Sequence, residues 1–235
     1  MKEIINRNYF NINFIKAIIP SFIGGFIELY SLKVRGAFSG MQTGNLIYIF
    51  INLIDGNYTL SLFYLLILVI FIVGIIISEL IFYLSNKFNF KYQYIVYPLE
   101  IISLLSIIFI PTNLDILDPL NILGMCILSL FSAVQSHIFT NINGHSLSTT
   151  MMTAMIKLCS SKLFLFFKNK NKNNLLEFLE ILFIILFFII GVVIFYLGYT
   201  FINIEYLNYL LFLLIFLILI LFILFSFKYK FKKNN

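Results

Sequence analysis

A few residues of this otherwise apolar chain carry side chains that could bind or move charge. They are Glu28 and Arg35 in one apolar stretch, Gln42, Thr43 and Asn45 just beyond it, and Gln135, Thr149, Thr150 and Thr153 in the second half. A carboxylate inside a membrane helix is costly and by default functional, commonly with a basic partner. Arg35 lies seven residues after Glu28, near the same helical face if the helix persists that far, so a Glu28–Arg35 pair is expected. Ser39 followed three residues later by Gln42 fits a capping box, which predicts a helix start there that runs through Thr43, Gly44 and Asn45. A helix N-terminus offers unpaired N–H groups and a partial positive charge, which favour an anionic or carbonyl-bearing solute. The second-half counterpart is NGHSLSTTMMTAM over 143–155, with Ser148 or Thr149 as the expected cap.

Other chemistries lack their constellations. His137 and His145 stand eight residues apart with no acid or cysteine at ligand spacing, so no metal site is expected. There is no HExxH or GxSxG element and no glycine-rich phosphate loop, so neither catalysis nor a cofactor is expected. Cys126 and Cys159 sit in apolar surroundings and read as packing residues. Glu79 and Glu100 read as lying nearer the inner ends of their helices, snorkelling or pairing with Lys87 and Lys91. Gly74 with Ser78, and Gly191 with Gly198, put small residues on single helix faces and predict close helix packing.

The elements that must position these groups follow from composition. Of the 235 residues, 61% are hydrophobic and 11% charged, which excludes a soluble globular domain. No polar stretch is long enough to fold separately, so 1–235 reads as one integral membrane domain in contact with the lipid bilayer. The net charge is +6, but the basic residues cluster beside apolar runs and read as topology determinants rather than a nucleic-acid surface. Lys2 and Arg7 precede an apolar run that lacks a small-x-small site, so this run is expected to stay in place as the first membrane helix.

Eight apolar segments are predicted, at 13–32, 42–54, 59–84, 94–111, 119–140, 147–166, 174–200 and 206–227. Asp118–Pro119 suits an N-cap followed by a first-turn proline. The second segment reaches only about 20 Å at 1.5 Å per residue, short of a roughly 30 Å hydrocarbon core, and should enter and turn back. The sixth is long enough to cross, but its first half carries Ser146, Ser148, Thr149, Thr150, Thr153 and Lys157 and reads as its protein-covered counterpart. With both re-entrant, 14 basic residues fall on one side, leaving Lys33 and Arg35 on the other; eight crossings would give 12 and 4. The expected fold is therefore an all-α transmembrane bundle with six spanning helices, two re-entrant half-helices and both termini cytoplasmic, in the plasma (inner) membrane. Three crossings per half would invert the second half (about 119–227) relative to the first (about 13–111).

Gly25-Phe26-Ile27-Glu28, Gln42-Thr43-Gly44-Asn45, Gln135-Ser136 and Thr149-Thr150-Met151-Met152-Thr153-Ala154 together resemble the YoaK-type family of small integral membrane proteins, a domain of unknown function. Its elements are G-x-x-D, QTGN, QN and TTxMTG; Glu28, Ser136 and Ala154 depart from them. The resemblance implies an integral membrane protein, permease-like in outline, and supplies no reaction. The leading expectation is a small-solute permease with a midplane site, and the rival is a non-transporting membrane scaffold or assembly protein.

Overall fold

The computed structural model describes residues 12–138, 141–142, 145–146 and 152–233, with side chains over 17–136 and 152–226. In lipid every backbone polar group must be satisfied within the protein, and the apolar runs accordingly form helices. They are α1 (Ile12–Tyr30), continued by a π turn (Ser31–Arg35), α2 (Gln42–Ile54), α3 (Tyr58–Lys87), α4 (Gln93–Ile108), α5 (Pro119–Ile138), α6 (Met152–Asn169), α7 (Lys172–Phe201) and, after a 3-10 turn (Ile204–Leu210), α8 (Leu211–Lys233). Between α5 and α6, two-residue strands β1 (Asn141–Ile142) and β2 (His145–Ser146) pair antiparallel. The architecture is an all-α helical bundle.

Five of the described helices are long and apolar enough to cross a membrane: α1 with its π turn, α3, α5, α7, and α8 with its 3-10 turn. The apolar α4 is shorter, at 16 residues. Neither α2 nor α6 is among the five. The most apolar window of α1 is 72% buried, against 28% in α3 and 22% in α7, so α1 is the central helix and the other two carry outward belts such as Leu62, Ile72, Ile76, Ile189, Val193 and Leu197. Such all-round apolar helices fit lipid contact.

Close contacts fix the directions. α1 and α7 run parallel: Ser21 Oγ donates to the Ile184 carbonyl at 2.7 Å, and a Cβ added to Gly25 would fall 2.1 Å from the Phe188 carbonyl oxygen. A Cβ on Gly191 would likewise fall 2.1 Å from the Phe22 carbonyl oxygen, so the two backbones touch. This is the close packing that the small residues predict. α3 and α5 are also parallel, with Ser129 Oγ donating to Ile67 O at 3.0 Å and Gly74 held against Ala133. α2 folds back on α3 through Ser61 Oγ to Ile49 O, and α6 on α7 through an ion pair between Lys162 and Glu177. α4 and α8 are antiparallel, Asn208 bonding Ile107 O near one end and Tyr97 meeting the Phe222 ring towards the other. Most buried side chains form one core, including Phe26, Tyr30, Leu104, Phe131, Phe195 and Leu214, and a smaller cluster of Ala17, Met155, Cys159, Ile181 and Ile184 seats α6.

Candidate functional site around the start of α2

The segment between the π turn and α2 is short and held from all sides. Gly36 adopts φ +87°, a left-handed conformation that ends the helix and that glycine takes without strain, and Tyr64 OH donates to its carbonyl at 3.0 Å. Glu28 is buried in α1, and its Oε1 accepts from the Gly40 amide at 2.7 Å. Ser31 Oγ accepts from the Ser39 amide at 3.1 Å and donates to the Glu28 carbonyl at 3.0 Å. Asn45, fully buried on the first turn of α2, clamps Phe38: its Oδ1 accepts from the Phe38 amide at 3.0 Å and its Nδ2 donates to the Phe38 carbonyl at 2.7 Å. Gln42 Nε2 donates to the Ser39 carbonyl at 2.8 Å, and Gln42 Oε1 accepts from Asn45 at 3.0 Å. Gly44 lets the Phe38 ring lie against the helix start, since a Cβ there would fall 2.7 Å from the ring and push it aside.

The helix start is where the spacing predicts it, but the cap differs. Met41 is the N-cap residue and supplies no side-chain bond, while the Ser39 hydroxyl is buried without a partner. Ser39 stands two positions before Met41, and the two amides that a capping box would satisfy find other partners, Ser39 N–H the Ser31 hydroxyl and Gln42 N–H the Gly40 carbonyl. Thr43 is exposed on the first turn of α2. Glu28 Oε2 is buried and also without a hydrogen-bond partner; the Ser39 hydroxyl lies beside it but outside bonding geometry.

The expected Glu28–Arg35 pair is not formed. Residues of the wider π turn each advance by less than the α-helical 100°, so the spacing of seven no longer returns Arg35 to the Glu28 face. Arg35 instead points at the end of α4: Nη1 donates to Pro111 O at 2.6 Å and Nη2 to Ile110 O at 3.0 Å. Tyr30 OH and Asn121 Oδ1 accept at 3.2 and 3.4 Å. Asn208 bonds the same helix end, donating to Ile107 O and Ile110 O and accepting from Tyr30 OH at 2.6 Å. A fully buried guanidinium without a carboxylate partner among the described residues thus spends both terminal nitrogens on carbonyls just past the end of α4, at the partial negative charge of a helix C-terminus, while its Nε has no hydrogen-bond partner. Gly124 packs against this group, since a Cβ there would rest at ordinary contact distance from the guanidinium, 3.5 Å.

In the second half, Gln135 on α5 is buried with Oε1 unpartnered, while Ser136 spends its hydroxyl on Ala133 O. Thr153 is exposed on the first turn of α6. Thr149 and Thr150, the expected caps Ser148 and Thr149, and the side chains of His137 and His145 lie outside the described residues. Among the described residues no group of three or more potential metal ligands occurs, and Cys126 and Cys159 are free thiols. Asp118 caps α5 as predicted, Oδ1 accepting from the Leu120 amide at 2.8 Å.

Depth ties these parts together. α1 and its π turn reach roughly 35 Å, which places the midpoint near Ile23. The chain enters α2 beside Glu28, about 10 Å inward from Arg35, and α2 then runs back to the Arg35 end. α6 starts at the level of Ala17 to Ser21, where Met155 packs beside Ala17 and Ile184, and runs to the opposite end. Both α2 and α6 therefore begin near mid-depth and leave in opposite directions. Gln135, 14 residues along α5 from the Arg35-bound Asn121, lies about 20 Å inward, level with the start of α6.

Missed by the sequence reading were Tyr30, Ser31, Asn121 and Asn208, all polar and buried. The signal existed for the two asparagines, because an amide inside an apolar run is expected to bond across helices.

An all-α bundle with five candidate spans, an apolar α4 and the two polar-started helices α2 and α6 defines an integral membrane protein. The sequence model of the family described as "Protein of unknown function (DUF1275)" matches residues 17–224, and the chain belongs to that family. No curated protein and no solved structure matches it.

Proposed function

We propose that the protein is a small-solute permease of the YoaK type within its family, with a polar site near mid-depth between the starts of α2 and α6. The observation that carries this reading is the pair of polar-started helices, α2 and α6, that begin beside the midpoint of α1 and run outward in opposite directions. Paired partners support it further: α1 with α7 and α5 with α3 are both parallel, and the α2–α3 and α6–α7 hairpins correspond with opposite sense, as in an inverted repeat. Carriers built this way place substrate at the repeat interface, with half-helix N-termini aimed at anionic groups. Glu28, Gln42, Thr43, Asn45, Gln135, Thr149, Thr150 and Thr153 are the residues proposed to surround the solute. Glu28 Oε2 and Gln135 Oε1 supply unused acceptors, and Thr43 and Thr153 exposed hydroxyls. Arg35 acts at a distance, by fixing the Arg35 end of α1. The Lys87 end and both termini are cytoplasmic in this reading, and the membrane is the plasma membrane.

A second reading has its own support. Gln42, Asn45 and one oxygen of Glu28 spend their bonds on the 36–41 segment, as expected of a scaffold fastening irregular backbone. Uptake of labelled small carboxylates and amides into liposomes containing the full chain separates the two. The permease reading requires saturable uptake of at least one, lost in Thr43→Val with the protein still folded. Uptake equal to that of protein-free liposomes across the panel would favour the scaffold.

A further inference from the structure

A second site lies away from α2. α3 and α4 both pack on α5, and between them is a cavity of about 160 Å³. Gly74, Phe131 and Val134 line it, with Leu99 and Ile77 as two 40%-exposed walls that open it sideways onto the apolar outer surface. Glu100 also lines it, 2% exposed, with Oε1 buried and unpartnered. It is not near an inner helix end. Counting back from Ile110, whose carbonyl binds Arg35, Glu100 lies about 15 Å inward, near mid-depth. It makes no ion pair among the described residues, so the expected pairing with Lys87 or Lys91 is not formed.

An acid held in apolar walls without a counter-charge is costly in its ionised form, and a cation seated against it offsets that cost. The size sets the rest of the ligand, because an apolar cavity of about 150 Å³ accommodates a benzene ring. We propose that the α3–α4–α5 cavity is a binding site for small amphiphilic ammonium compounds, a one-ring apolar body against Phe131 and Val134 and a primary ammonium on Glu100, entering from the lipid side.

The probe is benzylammonium, titrated against the full chain in lipid nanodiscs and followed by ligand-observed NMR. Saturable binding is expected, weakened at least about ten-fold in Glu100→Gln, the scale for losing one charged hydrogen-bond partner. Benzyl alcohol, neutral and of the same shape, should bind weaker by a similar factor. Ile77→Trp, which fills the exposed rim, should block binding in a folded protein. If Glu100→Gln does not fold, the alcohol and Ile77→Trp comparisons decide. No saturable binding, equal binding of alcohol and ammonium, or unchanged binding in Glu100→Gln or Ile77→Trp would each overturn the assignment.

Discussion

Arg35→Met removes the guanidinium while keeping most of its apolar volume. Two bonds of good length end at the α4 terminus, at 2.6 Å to Pro111 O and 3.0 Å to Ile110 O, and the contacts at 3.2 and 3.4 Å add less. Hydrogen bonds to a charged group contribute about 1.5–3 kcal/mol each, so the two strong ones amount to roughly 3–6 kcal/mol before the relief of desolvating the cation. A net loss of about 3 kcal/mol is expected, near the lower end for breaking a buried charged partnership. Arg35→Lys should recover only part of it, because one ammonium lacks the planar fork that reaches both carbonyls. Equilibrium unfolding in mixed micelles, read by far-UV circular dichroism, measures this. The double variant with Glu28→Gln is the sharper test: separate groups add to within about 0.5 kcal/mol. A coupling energy above about 1 kcal/mol would show that the two charges interact directly and would refute the separation of Glu28 from Arg35.

Three further outcomes follow from the same contacts. Ser39→Ala should change stability by less than about 0.5 kcal/mol, since its hydroxyl makes no bond, whereas Asn45→Ala should cost about 2 kcal/mol by orphaning both polar groups of Phe38; thermal unfolding of the two variants compares them. Gly191→Ala should cost at least about 2 kcal/mol, because its Cβ would meet Phe22 O at 2.1 Å and force α1 from α7; the same thermal assay should leave Gly56→Ala, which meets nothing, the milder change despite its φ of +78°. Gly124→Val should destabilise by pressing on the Arg35 guanidinium, and the loss should shrink in an Arg35→Met background.

What the sequence makes legible here is local. The apolar run 42–54 has the same bounds as α2, because Asp55-Gly56-Asn57 ends it. Asp118–Pro119 marks the start of α5 through side chains within two residues of each other. The eighth segment, 206–227, runs unbroken through most of the 3-10 turn Ile204–Leu210, since a tight turn keeps the same apolar composition. The π turn leaves no composition signal at all, and with it went the facing of Glu28 and Arg35. Arg35 meets Ile110 across 75 residues, and Asn208 meets Ile107 across 101, distances over which periodicity carries no information. Glu100 was misplaced for a related reason: its height depends on where α4 is anchored, not on how near it stands to Lys91 in sequence.

Thiol accessibility at the starts of α2 and α6 tests the central proposal most directly. In a chain with Cys126→Ala and Cys159→Ala, Thr43→Cys and Thr153→Cys are each treated, in sealed vesicles, with a charged membrane-impermeant methanethiosulfonate. A polar site near mid-depth predicts that both react, while Ile76→Cys on the outward face of α3 does not. Protection of both threonine positions, at the level of Ile76→Cys, would show that the starts of α2 and α6 meet lipid or packed protein, and would contradict the permease account.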